Sequence, residues 1–237
     1  MNQPNVFQRV AGVTAILGGI LTFASIIFGL LPIHFNVELF GDPLTMLNSG
    51  SVGAQQFGWS MIADVYGYYL LLVPTILFLR YWLQQRSHWL ADLSMVFGLM
   101  YVTLGALGAA FLWQIWPAII NSYGTAVPPE QQTLLTIFQI VTAGIQSGIW
   151  NISGSLGGLW WLGIGYLLRP SHRALSSFTL LLGAATVLTT LVNVFGLTAV
   201  GEFTILIYLF LAPVWALWLG ISLLVRAKQP LIALSSA

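Results

Sequence analysis

The sequence alternates between long apolar runs and short polar interruptions. Apolar residues dominate near 10–32, 61–83, 91–119, 147–168, 174–197 and 202–225. Each run is of the length, roughly 20 residues, that a helix needs to cross a hydrocarbon core about 30 Å thick. Hydrocarbon offers no partner to a bare amide or carbonyl, so each run is expected as a helix that satisfies its own backbone. The pattern predicts an all-α, polytopic membrane protein, a six-transmembrane-helix bundle forming one domain over residues 1–237. The first run is too long for the apolar part of a signal peptide and lacks a clear small-residue cleavage site, so it is expected to stay as an anchor.

The interruptions are unequal. Segments 84–90 and 169–173 are a few residues long and leave no room for a soluble module, whereas 33–60 is expected as an outer loop covering the helix ends. Within it Asp42 followed by Pro43 suits an N-cap and first helical position for a short turn. The apolar stretch 132–168 would make a helix about 55 Å long, more than one crossing needs. Two crossings there would give seven helices and carry Arg169 and Arg173 to the outer side. The reading adopted starts a helix at Pro128 and Pro129 and lays 128–146 on the outer surface as an interfacial helix. Leu134, Ile137, Phe138 and Val141 then face lipid or protein, Thr133, Thr136 and Gln139 face outward, and Gly144 and Gly148 permit the bend into the crossing. A single long, kinked helix is the alternative.

Composition and charge support the same picture. Hydrophobic residues make up 58% of 237 positions and charged residues 5%, with a mean hydropathy of +0.89, too apolar for one soluble core. With six crossings and the N-terminus inside, Arg9, Arg80, Arg86, Arg169, Arg173, Arg226 and Lys228 all fall on one face, as the positive-inside rule requires. Glu38, Asp42, Glu130 and Glu202 fall on the other. Both termini are therefore expected in the cytoplasm, and the location expected is a bacterial cytoplasmic (inner) membrane. A net charge of +1 supplies no basic patch for nucleic acid, and zero cysteines exclude disulfides and thiolate metal sites.

Small residues recur at helical spacing. Gly154 and Gly158 with Ser153 and Gly157, Ala11 with Ala15 and Gly19, and Gly105 with Ala109 are expected as seams where neighbouring helices approach closely.

Polar residues inside the apolar runs are harder to attribute to packing. Asp64, Gln114, Asn151, Asn193 and Glu202 fall about one turn inside the outer ends of five helices, so they are expected at one level. An intramembrane carboxylate points to a site by default. Tyr68 shares a face with Asp64 at i,i+4, Gln146 is placed at the rim, and Trp113, Trp116 and Trp150 supply apolar walls. Together these ten residues define a candidate outward-facing pocket for a small amphiphilic or lipid-like molecule. An aromatic belt with its acids reaching headgroup water is the competing reading. Trp160, Trp161, Trp215 and Trp218 are candidates to border a lipid, quinone or carotenoid, or else to pack the bundle. The only lysine is Lys228, which excludes a covalent retinal. His34, His88 and His172 lie near helix ends, which argues against haem held by two histidines, and no metal-ligand spacing or nucleophile motif is present.

The runs QRVAGVTAILGGI, GGLWWLGIGYLLRP, SSFTLLLG and APVWALWLGISLL resemble, in order and spacing, a family of bacterial six-helix membrane proteins catalogued as a domain of unknown function. The resemblance implies a six-helix bundle in a bacterial cytoplasmic membrane and supplies no catalytic residue. A His-Asn pair of the family is replaced here by TAGIQSG, so no histidine role carries over. Three functional classes follow: a non-catalytic binding protein; a subunit that docks a membrane-protein partner or a second copy; and a lipid-directed acid/base enzyme or ion-coupled transporter using Asp64.

Overall fold

The computed structural model describes residues 3–36, 39, 41–195 and 198–226, without the side chains of 3–5, 198–203 and 226. The described residues form helices and connecting turns, with no strand. They comprise α1 (Gln3–Leu30), a short α2 (Pro43–Leu47), α3 (Gly50–Leu83), α4 (His88–Tyr123), α5 (Pro128–Leu168), α6 (Arg173–Val194) and α7 (Thr198–Arg226). All but α2 contain segments long and apolar enough to cross a membrane, six in all. The protein is a multi-pass, all-helical membrane bundle.

Asp42 caps α2 as its sequence suggested: its carboxylate accepts the Thr45 amide at 2.7 Å, with Pro43 in the first turn. Helix α3, however, begins at Gly50 and not near residue 61, so the last part of the expected outer loop is helical. The reason is an apolar face at helical spacing. Gly53, Ala54, Phe57, Gly58 and Met61 are all buried, with Phe57 edge-on to Trp116 at 5.9 Å.

Residues 128–146 are helical as expected, and α5 keeps to α4 over its whole length. Gln131 Nε2 donates to Tyr123 O, Phe138 stacks on Trp116, Trp116 Nε1 donates to Thr142 Oγ1, Trp150 Nε1 donates to Gly105 O and Ser153 Oγ donates to Tyr101 O. Because α4 is itself 36 residues long, or about 54 Å, it offers Phe138 and Thr142 a buried surface that a flat interfacial helix would lack. Gly144 and Gly148 lie in a π-helical segment, Gly144–Ile149, that widens the helix within this contact. Thr133, Thr136 and Gln139 are exposed, as expected of that face, but so are Ile137 and Ile140.

The seams follow the small residues. A Cβ on Gly158 would meet Val187 at 2.5 Å and Gly183 O at 3.0 Å, which joins α5 to α6. The α1–α7 seam is closest at Gly12 and Gly220, where a Cβ on Gly220 would lie 2.7 Å from Gly12 O. Lipid gives helices no hydrophobic reason to associate, so this backbone proximity supplies the dispersion contact that holds them.

The arginines gather at one end, with Asp92 among them. Arg80 Nε pairs with Asp92 at 2.7 Å and His88 Nδ1 with its other oxygen at 2.9 Å. Arg86 donates to Leu167 O, and Trp82 packs on His172. Gln8 Nε2 donates to Leu223 O at 2.9 Å, which ties the start of α1 to the end of α7. The start of α1 and the end of α7 thus share the arginine-bearing end of the bundle, while Asp42 and Glu130 mark the opposite end. Glu38 and Lys228 lie outside the described residues.

Candidate functional site: a buried carboxyl among hydroxyls

Asp64 lies on α3 in the interior of the bundle and is 7% exposed. Its near partners are hydroxyls. Ser25 Oγ of α1 donates to Asp64 Oδ1 at a long 3.4 Å, and the same Oγ lies 3.4 Å from Ser60 Oγ. Ser60 commits its own proton to Ser25 O at 2.9 Å. One donor is therefore shared between two acceptors, and the carboxyl receives at most one weak hydrogen bond from this pair.

The helix changes character immediately after the carboxyl. Val65–Tyr69 is π-helical, Leu70–Leu72 is a 3₁₀ turn, and Pro74 follows. Three successive residues here are buried against three different helices. Gly67 touches the α1 backbone at Thr22. Tyr68 stacks on Tyr208 of α7 at 5.5 Å and donates to Leu209 O, and the Tyr69 ring fills the space over Gly105 of α4. A widened turn distributes these contacts around the helix, a common use of π segments at functional positions.

Aromatic groups continue the cluster inward. Tyr101 and Tyr208 hydroxyls are 2.9 Å apart, and Tyr101 OH lies 3.3 Å from Tyr68 O. Trp160, Trp161 and Trp215 pack around them, and Trp215 Nε1 donates to Thr179 Oγ1 at 2.9 Å. The indole Nε1 atoms of Trp160 and Trp161 have no hydrogen-bond partner among the described residues.

Of the ten residues expected around one pocket, the structure brings Asp64 and Tyr68 together. Trp116 is buried nearer the end that carries Asp42, against Phe57, Phe138 and Thr142, and half-buried Trp150 spends its N–H on Gly105 O. Gln146 and Asn151 are half-buried, while Trp113, Gln114 and Asn193 are exposed. The Glu202 side chain lies outside the described residues. Depth along a helix does not fix azimuth, so residues at one level were free to face lipid, a seam or the interior. Of the four tryptophans considered for a lipid, quinone or carotenoid, three form the buried cluster and Trp218 is 38% exposed beside Phe178.

The hydroxyl partners Ser25, Ser60, Tyr101 and Tyr208 were not singled out from sequence. For Ser60 a signal existed: Gln56, Ser60, Asp64 and Tyr68 follow one another at i,i+4 along α3. At the end that carries Asp42, Gln56 lines an open groove of about 650 Å³ with Pro32, His34, Leu44, Asn48 and Val52. One helix face thus runs from the groove to the carboxyl. No group of three His, Asp or Glu among the described residues could hold a metal ion.

Six apolar helices enclosing a carboxyl define a polytopic integral membrane protein. The chain belongs to the DUF4386 family, a domain of unknown function, whose profile matches residues 11–227. No curated protein and no solved structure matches it.

Proposed function

We propose that this protein is a non-catalytic binding protein of the bacterial inner membrane, with both termini cytoplasmic, that takes a small amphiphilic or lipid-like molecule at its outer end. The reading is carried by one arrangement: the polar face of α3 that links Gln56 in the outer groove to Ser60 and the buried Asp64. The groove has the volume of a small-molecule site and mixes aliphatic walls with amide and hydroxyl groups, the chemistry of an amphiphile's two ends. Asp64 supplies the polar terminus of that face. The gathering of arginines at one end supports the orientation through the positive-inside rule.

Mass spectrometry of the gently extracted native protein tests the reading. The expected result is a small amphiphile at near-stoichiometric amount, lost in Val52→Trp, which fills the groove from an exposed position without entering the core. A stoichiometric protein partner with no small molecule would refute it in favour of a docking subunit.

A second reading, ion-coupled transport through Asp64, is favoured by the burial of the carboxyl, with no cation beside it among the described residues, and by the irregular turn that follows it. A gradient-driven flux in proteoliposomes that disappears in Asp64→Asn would select it.

A further inference from the structure

The environment of Asp64 is unusual in what it withholds. Ser25 of α1 is the hydroxyl that reaches it, with Ser60 behind Ser25; Tyr68 and Tyr69 of α3 and Tyr208 of α7 lie near enough to interact with its charge, and Tyr101 of α4 is reached through Tyr208. Among the described residues no Lys, Arg, His or second carboxyl joins them, because the arginines lie at the other end of the bundle. Ionised, the carboxyl would present about four acceptor sites to one long, shared hydrogen bond inside an apolar bundle, and an uncompensated charge there is costly. A bound proton removes the charge and adds a donor.

We propose that Asp64 is a proton-binding site, and that loss of its proton opens the α1–α3 seam at the π-helical turn Val65–Tyr69. The proposal deepens the binding reading above by naming how that site is regulated. The O–H bond of the carboxyl breaks and its proton passes to water entering from the outer groove along the Gln56–Ser60 face. The carboxylate left behind retains that water and so holds the seam open. The turn that yields is already irregular, bounded by a 3₁₀ segment and Pro74, and it carries close contacts of α3 with both α1 and α4. A Cβ at Gly67 would lie 2.5 Å from Thr22 N, and one at Gly105 would lie 2.0 Å from Tyr69 Cε1. Loosening the turn therefore frees α3 locally from α1 at Thr22 and from α4 at Gly105.

Infrared difference spectroscopy of the full-length, ligand-free protein in lipid nanodiscs tests this over a pH series. Wild type is expected to show the carbonyl stretch of a protonated carboxylic acid on the acid side, lost as pH rises, and Asp64→Asn to lack it. Ser25→Ala, which removes the Ser25 hydroxyl that donates to the carboxylate, is expected to move the loss to higher pH. Hydrogen exchange over residues 56–72, corrected for intrinsic rates, is expected to rise about tenfold across the same transition in wild type and to stay flat in Asp64→Asn. No Asp64-dependent band, an unmoved midpoint in Ser25→Ala, or a transition that follows sodium concentration instead of pH would overturn the proposal. Where Asp64→Asn does not fold, wild type and Ser25→Ala decide it alone. These readings need no amphiphile, so their failure is distinct from a failure to find one bound.

Discussion

Replacing Gly67 by Ala is the sharpest test of the seam that holds the carboxyl closed. The new methyl would lie 2.5 Å from Thr22 N, 2.9 Å from Leu21 C and 2.9 Å from Thr22 Oγ1, whereas comfortable contacts fall at about 3.5–4.0 Å. Two of those atoms are backbone, so no rotamer change relieves the overlap and α1 must move by about 1 Å. Such overpacking costs about 3 kcal/mol, at the upper end of its usual range because a whole helix shifts. The intrinsic helical gain of Ala over Gly offsets about 1 kcal/mol. The net is about 2 kcal/mol, or roughly a 30-fold loss in the folding equilibrium constant. Two controls sit beside it. A Cβ at Gly18 would meet Gly67 O at 3.1 Å, so Gly18→Ala should lose less than about 1 kcal/mol. Gly148 has nothing within 4 Å, so Gly148→Ala should be neutral or stabilising by up to about 1 kcal/mol. Reversible unfolding in mixed micelles, titrated with a denaturing detergent and read by circular dichroism, gives all three. A Gly67→Ala protein within about 0.5 kcal/mol of wild type, or a Gly148→Ala loss of equal size, would refute the reasoning.

Two further outcomes are expected. The Asp42 carboxyl is held below the usual carboxylate range by the Thr45 hydroxyl and amide, so its cap on α2 is complete above the unfolded-state value near 4 and fades as pH falls through the lower folded value. Exchange of the Thr45 amide should follow that course and run about fivefold faster at neutral pH in Asp42→Ala, less if solvent screens the half-exposed pair; equal rates in the two proteins contradict the cap. The chain has no cysteine, so single cysteines report sidedness: an impermeant maleimide on intact cells should label Thr125→Cys and spare Ser171→Cys, and the opposite pattern would reverse the orientation proposed above.

The crossings were legible because each apolar run answers to a single local demand, a self-satisfied backbone in hydrocarbon. Boundaries were less so. Helix α3 starts at Gly50 because Phe57 has Trp116 to pack against, and α5 runs straight from Pro128 because α4 is long enough to cover Phe138. Both causes lie on another helix. For the site, Asp64 and Tyr68 stood out as polar groups in an apolar run, while Gln114, Asn151 and Asn193 shared their depth but not their direction. Ser25 and Tyr208 were hidden for the opposite reason, since a serine and a tyrosine in apolar helices attract no notice until a carboxyl faces them.

The sequence by itself determined the six-helix membrane class, the gathering of arginines at one end, and the glycine seam at Gly158, all of which follow from composition and spacing along one helix. Only the tertiary structure decided which polar groups meet: helix rotation is set by Gly67 against Thr22, Gly12 against Gly220 and Tyr69 over Gly105. Those contacts join residues distant in the chain, and it is they that leave Asp64 facing hydroxyls in place of a cation.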